Sequence, residues 1–559
     1  MQPPSSLATL AETETLRRTG PFGNPDAARG FSDDEFIDIE GTIPSPLHDS
    51  EAMRRRIIVG RKGSGKSLYL RWHRRVAEDK RFIAISEATN ISTHLIAHID
   101  LIAKRDAEFV SKIGLTDYIS HSSYIINFWS QIWDRALYLS IASIALSRGD
   151  TFSDIHRAEI MTKYRQLFLD DMRNERSICN VVELIHQQLA GQKNDVRRWR
   201  RYIDHPNWSL LRADLAQWCE RLPPIALYVD AIDDDFEDAP QIWLHCQGGL
   251  FKTAFESVYR DDRLSNRIHL VIAVRDISYS GIVQSEHGSR YVTDYKIQHL
   301  QWDAISVRTF LHKKIQRLPS SRAAIPSADV ANEPFMYWLG FESVSNKRRN
   351  IVERASDYII RHTRMLPRDI VIMGNAICDR MEQRTREKKL LNDNPLRQRV
   401  ADVSKRLASE AMRLCITELI MSADYMSEVI LQNWASDMKG AEALEFLKER
   451  LSDSVKLFFS TIGKEVFSKD DLYVALSKSG LVTERHLTSE RILFRFDNLL
   501  WRHGLLAVYV REGEKFRWKF HWRSMFEEPT IDADAALYGF HSSLIDLFGL
   551  KTSLEGPVF

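Results

Sequence analysis

The sequence predicts an α/β protein built on a parallel αβα core, and three observations lead there. A β-branched run, Ile57-Ile58-Val59, feeds a glycine-rich loop and then the helix-like stretch Leu68 to Val76. Two further apolar runs, Ile225 to Val229 and Ile268 to Val274, read as strands buried on both faces. Between and after them lie long stretches with apolar residues three and four apart, the spacing of helices.

The loop carries the chemistry. Gly60-Arg61-Lys62-Gly63-Ser64-Gly65-Lys66-Ser67 fits Gly-x-x-x-x-Gly-Lys-Ser, the phosphate-binding P-loop, in the strand–loop–helix context that motif needs. Gly60, Gly63 and Gly65 permit backbone angles that a Cβ would forbid, so successive N–H groups can turn inward around a phosphate. Lys66 is expected to reach the β- and γ-phosphates, and the Ser67 hydroxyl to ligate Mg²⁺. The new helix, entered through Leu68, adds its positive end. A glycine-rich turn before a basic helix is the plain alternative, which the acidic strand downstream disfavours.

At 559 residues the chain is long enough for three or four domains, and 44% hydrophobic content supplies real cores. A net charge of +1 excludes a uniformly basic nucleic-acid coat but permits local basic faces. Cys179, Cys219, Cys246, Cys378 and Cys415 are scattered and read as reduced core thiols. The N-terminus has no signal-peptide pattern, and the most apolar run, Leu137 to Leu146, is too short to span a bilayer. A soluble, cytoplasmic protein with no membrane partner is expected.

In chain order, residues 1–30 read as a flexible N-terminal tail, in which Phe22-Gly23 is either a cover for an adenine or an ordinary turn. Residues 31–303 form the core, with a second strand at Arg81 to Ser86 and a helical insertion at about 90–222. Within the insertion, Arg197-Arg198-Trp199-Arg200-Arg201-Tyr202 suits either nucleic-acid backbone and bases or a solvated helix face. The strand Ile225 to Val229 ends in Asp230-Ala231-Ile232-Asp233-Asp234. Asp230 is placed to hold Mg²⁺ as a Walker B carboxylate, and Asp233 and Asp234 to orient or deprotonate the attacking water.

Asp-Ala-Ile-Asp-Asp resembles the Asp-Gly-Leu-Asp-Glu motif of NACHT-type and related STAND-class NTPases. The typical AAA+ ATPase has Glu directly after the Walker B Asp, and Ala231 stands there instead. The resemblance therefore implies a switch that hydrolyses slowly or only when assembled. It also implies a γ-phosphate sensor at the end of the next strand, where Arg275 stands. The strand near Tyr295 to Leu300 and the helix Ala304 to Gln316 follow in an order similar to the origin-recognition and STAND branch.

Residues 304–450 read as an all-helical lid. In it Pro367-Arg368-Asp369 opening a helix resembles a sensor-2 element, which assigns Arg368, and after it Arg364, to the γ-phosphate. The runs Lys347-Arg348-Arg349 and Arg384 to Lys389 read as exposed helix ends. Residues 451–526, three helices and a hairpin, look like a C-terminal winged-helix domain, leaving a tail at 527–559 that docks on its own chain or on a partner. The full expectation is a P-loop NTPase αβα parallel-sheet core with a large helical insertion, an all-helical lid and a winged helix.

Two function classes follow. One is an ATP- and Mg²⁺-dependent regulatory ATPase that acts as an oligomerising switch. Resemblance places such proteins in bacterial anti-phage defence, with the effector or regulator on another chain because no nuclease, protease or toxin motif is evident here. The other is a DNA-binding ATPase resembling origin-recognition proteins, with the winged helix on the duplex. A scaffold that binds nucleotide without hydrolysis is a third. Adenine over guanine rests on the resemblance.

Overall fold

The structure, a computed structural model, describes residues 20–25, 56–86, 91–112, 121–148, 151–169, 172–190, 195–230, 240–257, 264, 266–283, 297–346, 349–387, 391–421, 441–481, 495–512, 515–520, 531, 535–553 and 556–557. The chain divides into two compact units. One comprises Pro46–Arg61 and Lys66–Leu300; the other comprises Met1–Ser45, Lys62–Gly65 and Gln301–Phe559.

The first unit is built on β1 (Ile57–Gly60), β2 (Ile83–Ser86), β3 (Ile225–Val229), β4 (Ile268–Arg275) and β5 (Ile297–His299). They form a parallel sheet in the order β2-β3-β4-β1-β5. β1, β3 and β4 are buried along their whole length, which is why their sequences are near-continuous apolar runs. Helix Lys66–Asp79 follows the loop after β1 and buries Leu68, Tyr69, Leu70, His73 and Ala77. His73 Nδ1 lies 2.8 Å from the Tyr228 hydroxyl of β3. The second strand starts at Ile83, later than expected, because Arg81 takes a φ of 63° in the turn that closes this helix.

The insertion between β2 and β3 is helical, as its periodicity predicts. Its central helix, His121–Ser147, buries Phe128, Trp129, Ile132, Trp133, Ala136 and Leu137. Helix Pro240–Lys252 packs closely on it: a Cβ on Gly249 would stand 2.4 Å from that of Trp129, and Trp133 Nε1 donates to the Cys246 carbonyl at 3.1 Å. All five cysteines are buried and none forms a disulfide.

For the Arg197 to Tyr202 run the packing favours the solvated helix face over base stacking: Arg197, Arg198 and Arg201 are exposed. In helix Val196–Ile203 the buried residues are Trp199, Tyr202 and Ile203, so neither aromatic presents a ring to a base. Arg200 turns inward to Asp106 and Tyr124, with its guanidinium 5.4 Å from the Phe128 ring centre.

In the second unit the expectation of helix throughout 304–450 is corrected. β6 (Ser343–Asn346) and β7 (Ile351–Arg354) form an antiparallel ribbon. Alternating Ser343-Val344-Ser345 and β-branched Ile351-Val352 suit strands, and Asn350 turns the chain at a φ of 51°. Arg349, expected at an exposed helix end, is buried there and donates to Glu465 and to the Gly556 carbonyl. Lys347 and Arg348 lie outside the described residues. The 20–25 segment belongs to this unit, and Phe22 is 1% exposed, with its ring 4.9 Å from that of Trp338 and no room for a Cβ on Gly374 beside it. That packing leaves no ring face for an adenine.

A second sheet contains β8 (Val466–Ser468), β9 (Leu506–Glu512), β10 (Lys515–Phe520) and β11 (Leu537–Phe540), in the antiparallel order β10-β9-β11-β8. Ser468 caps helix Lys469–Ser479 in a reciprocal box with Asp471. Of the third helix, expected from Ser489, residues 489–494 lie outside the described residues; the helix that is described runs Phe496–Arg502 and follows an extended cap at Arg495. The segment set apart after residue 526 supplies β11, which lies inside the sheet between β8 and β9, with Phe540 packed on Phe467 and Phe459. Among the described residues no helix is long and apolar enough to cross a membrane.

Candidate phosphate-binding site

Parallel strands end on one edge of a sheet, and in the first unit that edge collects several of the expected residues. Gly60 ends β1 and pairs with Arg275, which ends β4 and is buried. Val229 pairs with Ile272, so Asp230 follows β3 at the same edge. β4 separates β3 from β1, which sets them two strand spacings, roughly 10 Å, apart. Lys66 and Ser67 open the helix after the loop. The first-turn N–H groups of a helix have no carbonyl partner within it and carry its positive end. Lys66 Nζ donates to the Gly60 and Arg61 carbonyls at 3.1 and 3.2 Å, folding back along the loop. Arg61 is buried, and the Leu68 side chain belongs to the core, so only the Leu68 backbone can serve a ligand.

Lys62–Gly65 groups with the second unit. Gly63 and Gly65 hold φ values of 87° and 93°, where glycine alone is at ease. Trp302 Nε1 donates to the Ser64 carbonyl at 2.9 Å, and the Arg368 N–H donates to the Gly63 carbonyl at 3.4 Å. A Cβ on Gly63 would stand 3.1 Å from Arg368 Cβ. The Ser64 hydroxyl is buried with no hydrogen-bond partner among the described residues.

Arg364 and Arg368 separate sharply. Arg364 Nε and Nη2 donate to the two oxygens of Asp369 at 2.9 and 2.8 Å. Both side chains are buried, so Arg364 is a structural ion pair and its assignment to a phosphate is corrected. Arg368 Nη1 donates to Glu410 at 2.7 Å. Burial alone would raise the Glu410 carboxyl, but Arg368, Arg364 and Lys62 override it and hold it down to about 2. Asp233 and Asp234 lie outside the described residues.

Trp302 and Glu410 were not legible as parts of the loop's surroundings. Trp302 lies in the short link between the strand near Leu300 and the helix from Ala304, where nothing local points to the loop. The one signal that could have marked Glu410 is a carboxylate within the mostly apolar stretch Leu407-Ala408-Ser409-Glu410-Ala411-Met412. Among the described residues no group of three or more His, Cys, Asp or Glu is arranged to hold a metal ion. The donors that fit Mg²⁺ here are one hydroxyl and one carboxylate, a set completed in such sites by phosphate oxygens and water.

No family model matches the chain, and no curated protein or solved structure matches it significantly.

Proposed function

We propose that this chain is a regulatory P-loop ATPase: it binds ATP at Gly60–Ser67, hydrolyses it slowly and oligomerises in response. The observation that carries the reading is the loop between a buried interior strand and a helix N-terminus, with Gly63 and Gly65 at positive φ. Backbone N–H groups of the loop and Lys66 bind the phosphate oxygens. Arg275 at the end of β4 senses the γ-phosphate, and Arg368, bonded to the Gly63 carbonyl, is assigned to phosphate held by the same loop. Ser67 and Asp230 would hold Mg²⁺, which when bound offsets charge on the β- and γ-oxygens. Asp233 and Asp234 orient or deprotonate the water. Ala231, where a Glu would give faster turnover, makes hydrolysis slow or dependent on assembly. Resemblance of Asp230-Ala231-Ile232-Asp233-Asp234 to the STAND-class motif is what supports a role as the ATPase component of a bacterial anti-phage system, acting on an effector chain.

A second reading puts nucleic acid on the C-terminal sheet, read as a winged helix. It is favoured by the β9–β10 hairpin, where Tyr509 stacks on Phe516 and packs on Trp518, and where Phe516, Arg511 and Arg517 are exposed. Light scattering with and without ATP–Mg²⁺ separates the two. Assembly by wild type, lost in Lys66→Ala and prolonged in Asp233→Ala/Asp234→Ala, supports the switch. A constant mass that rises only with added duplex DNA supports the second reading.

A further inference from the structure

The second unit contains a cavity of about 210 Å³ whose lining includes Arg349, Arg361, Arg397, His362, Gln398 and Asp546. It is far larger than the ~10–15 Å³ that admits one water. Its walls come from three places in the chain: the ribbon and the helix after it, helix Asp393–Met421, and the C-terminal segment from Ser542 to Thr552.

The lining is unbalanced in charge. Three guanidinium groups line it against a single carboxylate, Asp546. The carboxylates that pair with the arginines, Glu465, Glu353 and Asp393, stand behind them and are not part of the lining. Arg361 has only 5% of its side chain exposed, forms an ion pair with Glu353 (Nη2 to Oε1 2.9 Å) and lies 4.9 Å from the Tyr358 ring centre. Its Nε and Nη1 have no acceptor among the described residues. Burial, joined by the neighbouring Arg349, lowers the Arg361 pKa, so the cation is held in surroundings that do not fully compensate it. His362 Nδ1 lies 2.7 Å from the Tyr358 carbonyl, an acceptor only, so Nδ1 carries the proton.

Buried donors without acceptors are costly, and planar guanidinium forks match the oxygens of a phosphate better than those of any neutral group. Each arginine already has a carboxylate partner, so a phosphate would be recognised by the guanidinium donors left over, above all Arg361 Nε and Nη1, rather than by an excess of charge. We propose that this cavity binds the phosphate group of a small ligand, either the free ion or a phosphate ester, and that such a ligand braces the C-terminal segment against the helices on the other walls. The proposal does not rest on the P-loop.

The test is calorimetric titration of the full chain carrying Lys66→Ala, so that the loop lysine makes no contribution, at fixed ionic strength. Inorganic phosphate is one arm and adenosine monophosphate the other. The proposal expects saturable binding that weakens about tenfold or more when Arg361→Met or Arg397→Gln is added. Tighter binding of the monophosphate ester identifies an ester ligand; equal or weaker binding identifies the free ion. Arg397→Gln lies at a less buried position and keeps the test valid should Arg361→Met fail to fold. No saturable heat in either arm, or binding unchanged by both substitutions, overturns the proposal and leaves a water-filled cavity.

Discussion

Helix Val196–Ile203 and the β9–β10 hairpin carry the same mixture of arginines and aromatics, and the fold puts them to opposite uses. In the helix, Trp199 and Tyr202 fall three residues apart on one face and are buried, while Arg200 is drawn inward by Asp106. In the hairpin the period is two: Tyr509, Phe516 and Trp518 share one face, with Phe520 buried at the root and Phe516 53% exposed toward the tip. Interleaved cations and rings therefore say little about binding until the period and the partner are known. For Arg200 the partner comes from 94 residues upstream, and nothing local announces it.

The comparison breaks most readily at the aromatics. Trp199→Ala should cost about 3–5 kcal/mol in urea unfolding, by transfer and cavity terms, whereas Phe516→Ala should stay within about 0.5 kcal/mol. Equal costs would show that the hairpin is as much core as the helix. Next comes the ion pair. Asp106→Ala leaves Arg200 with only the more distant Asp204, at 3.8 Å, and should cost about 3 kcal/mol, while Arg517→Ala on the exposed hairpin should not move the unfolding midpoint.

A pH series sharpens the contrast within the hairpin, between its tip and its root. Phe520 lies edge-on to His541, 6.1 Å between ring centres. Burial lowers the His541 pKa from 6.5 to about 4, against the pull of its bond to the Thr363 carbonyl. Below 6.5 the unfolded chain takes up a proton that the folded chain refuses, so stability falls as the pH drops from there to about 4. The full loss is about 3 kcal/mol. His541→Gln should flatten the stability profile in that window; an unchanged profile would mean that this histidine is not held neutral.

Much of the first unit was legible because its signals are strong and local. β1, β3 and β4 are unbroken apolar runs, the glycine loop has a fixed spacing, and the insertion keeps a helical period over many turns. What the sequence did not reveal was decided by distant partners. The β6–β7 ribbon is two four-residue strands turned by Asn350, too short to stand out from helix. β11 is Leu-Tyr-Gly-Phe, which becomes a strand only because β8 and β9 flank it. Arg364 and Arg368 look equivalent in the sequence. Met365 at a φ of 56° accompanies the turn that brings both the N–H and the guanidinium of Arg364 onto Asp369, leaving Arg368 beside Gly63.

The measurement that bears most directly on the central claim is equilibrium binding of ATP–Mg²⁺ to the full chain, for wild type and Lys66→Ala. A phosphate site at Gly60–Ser67 predicts saturable binding that the substitution weakens about tenfold or more, since it removes a charge-assisted bond to the phosphates. Equal binding by the two chains, or none by wild type, would contradict it.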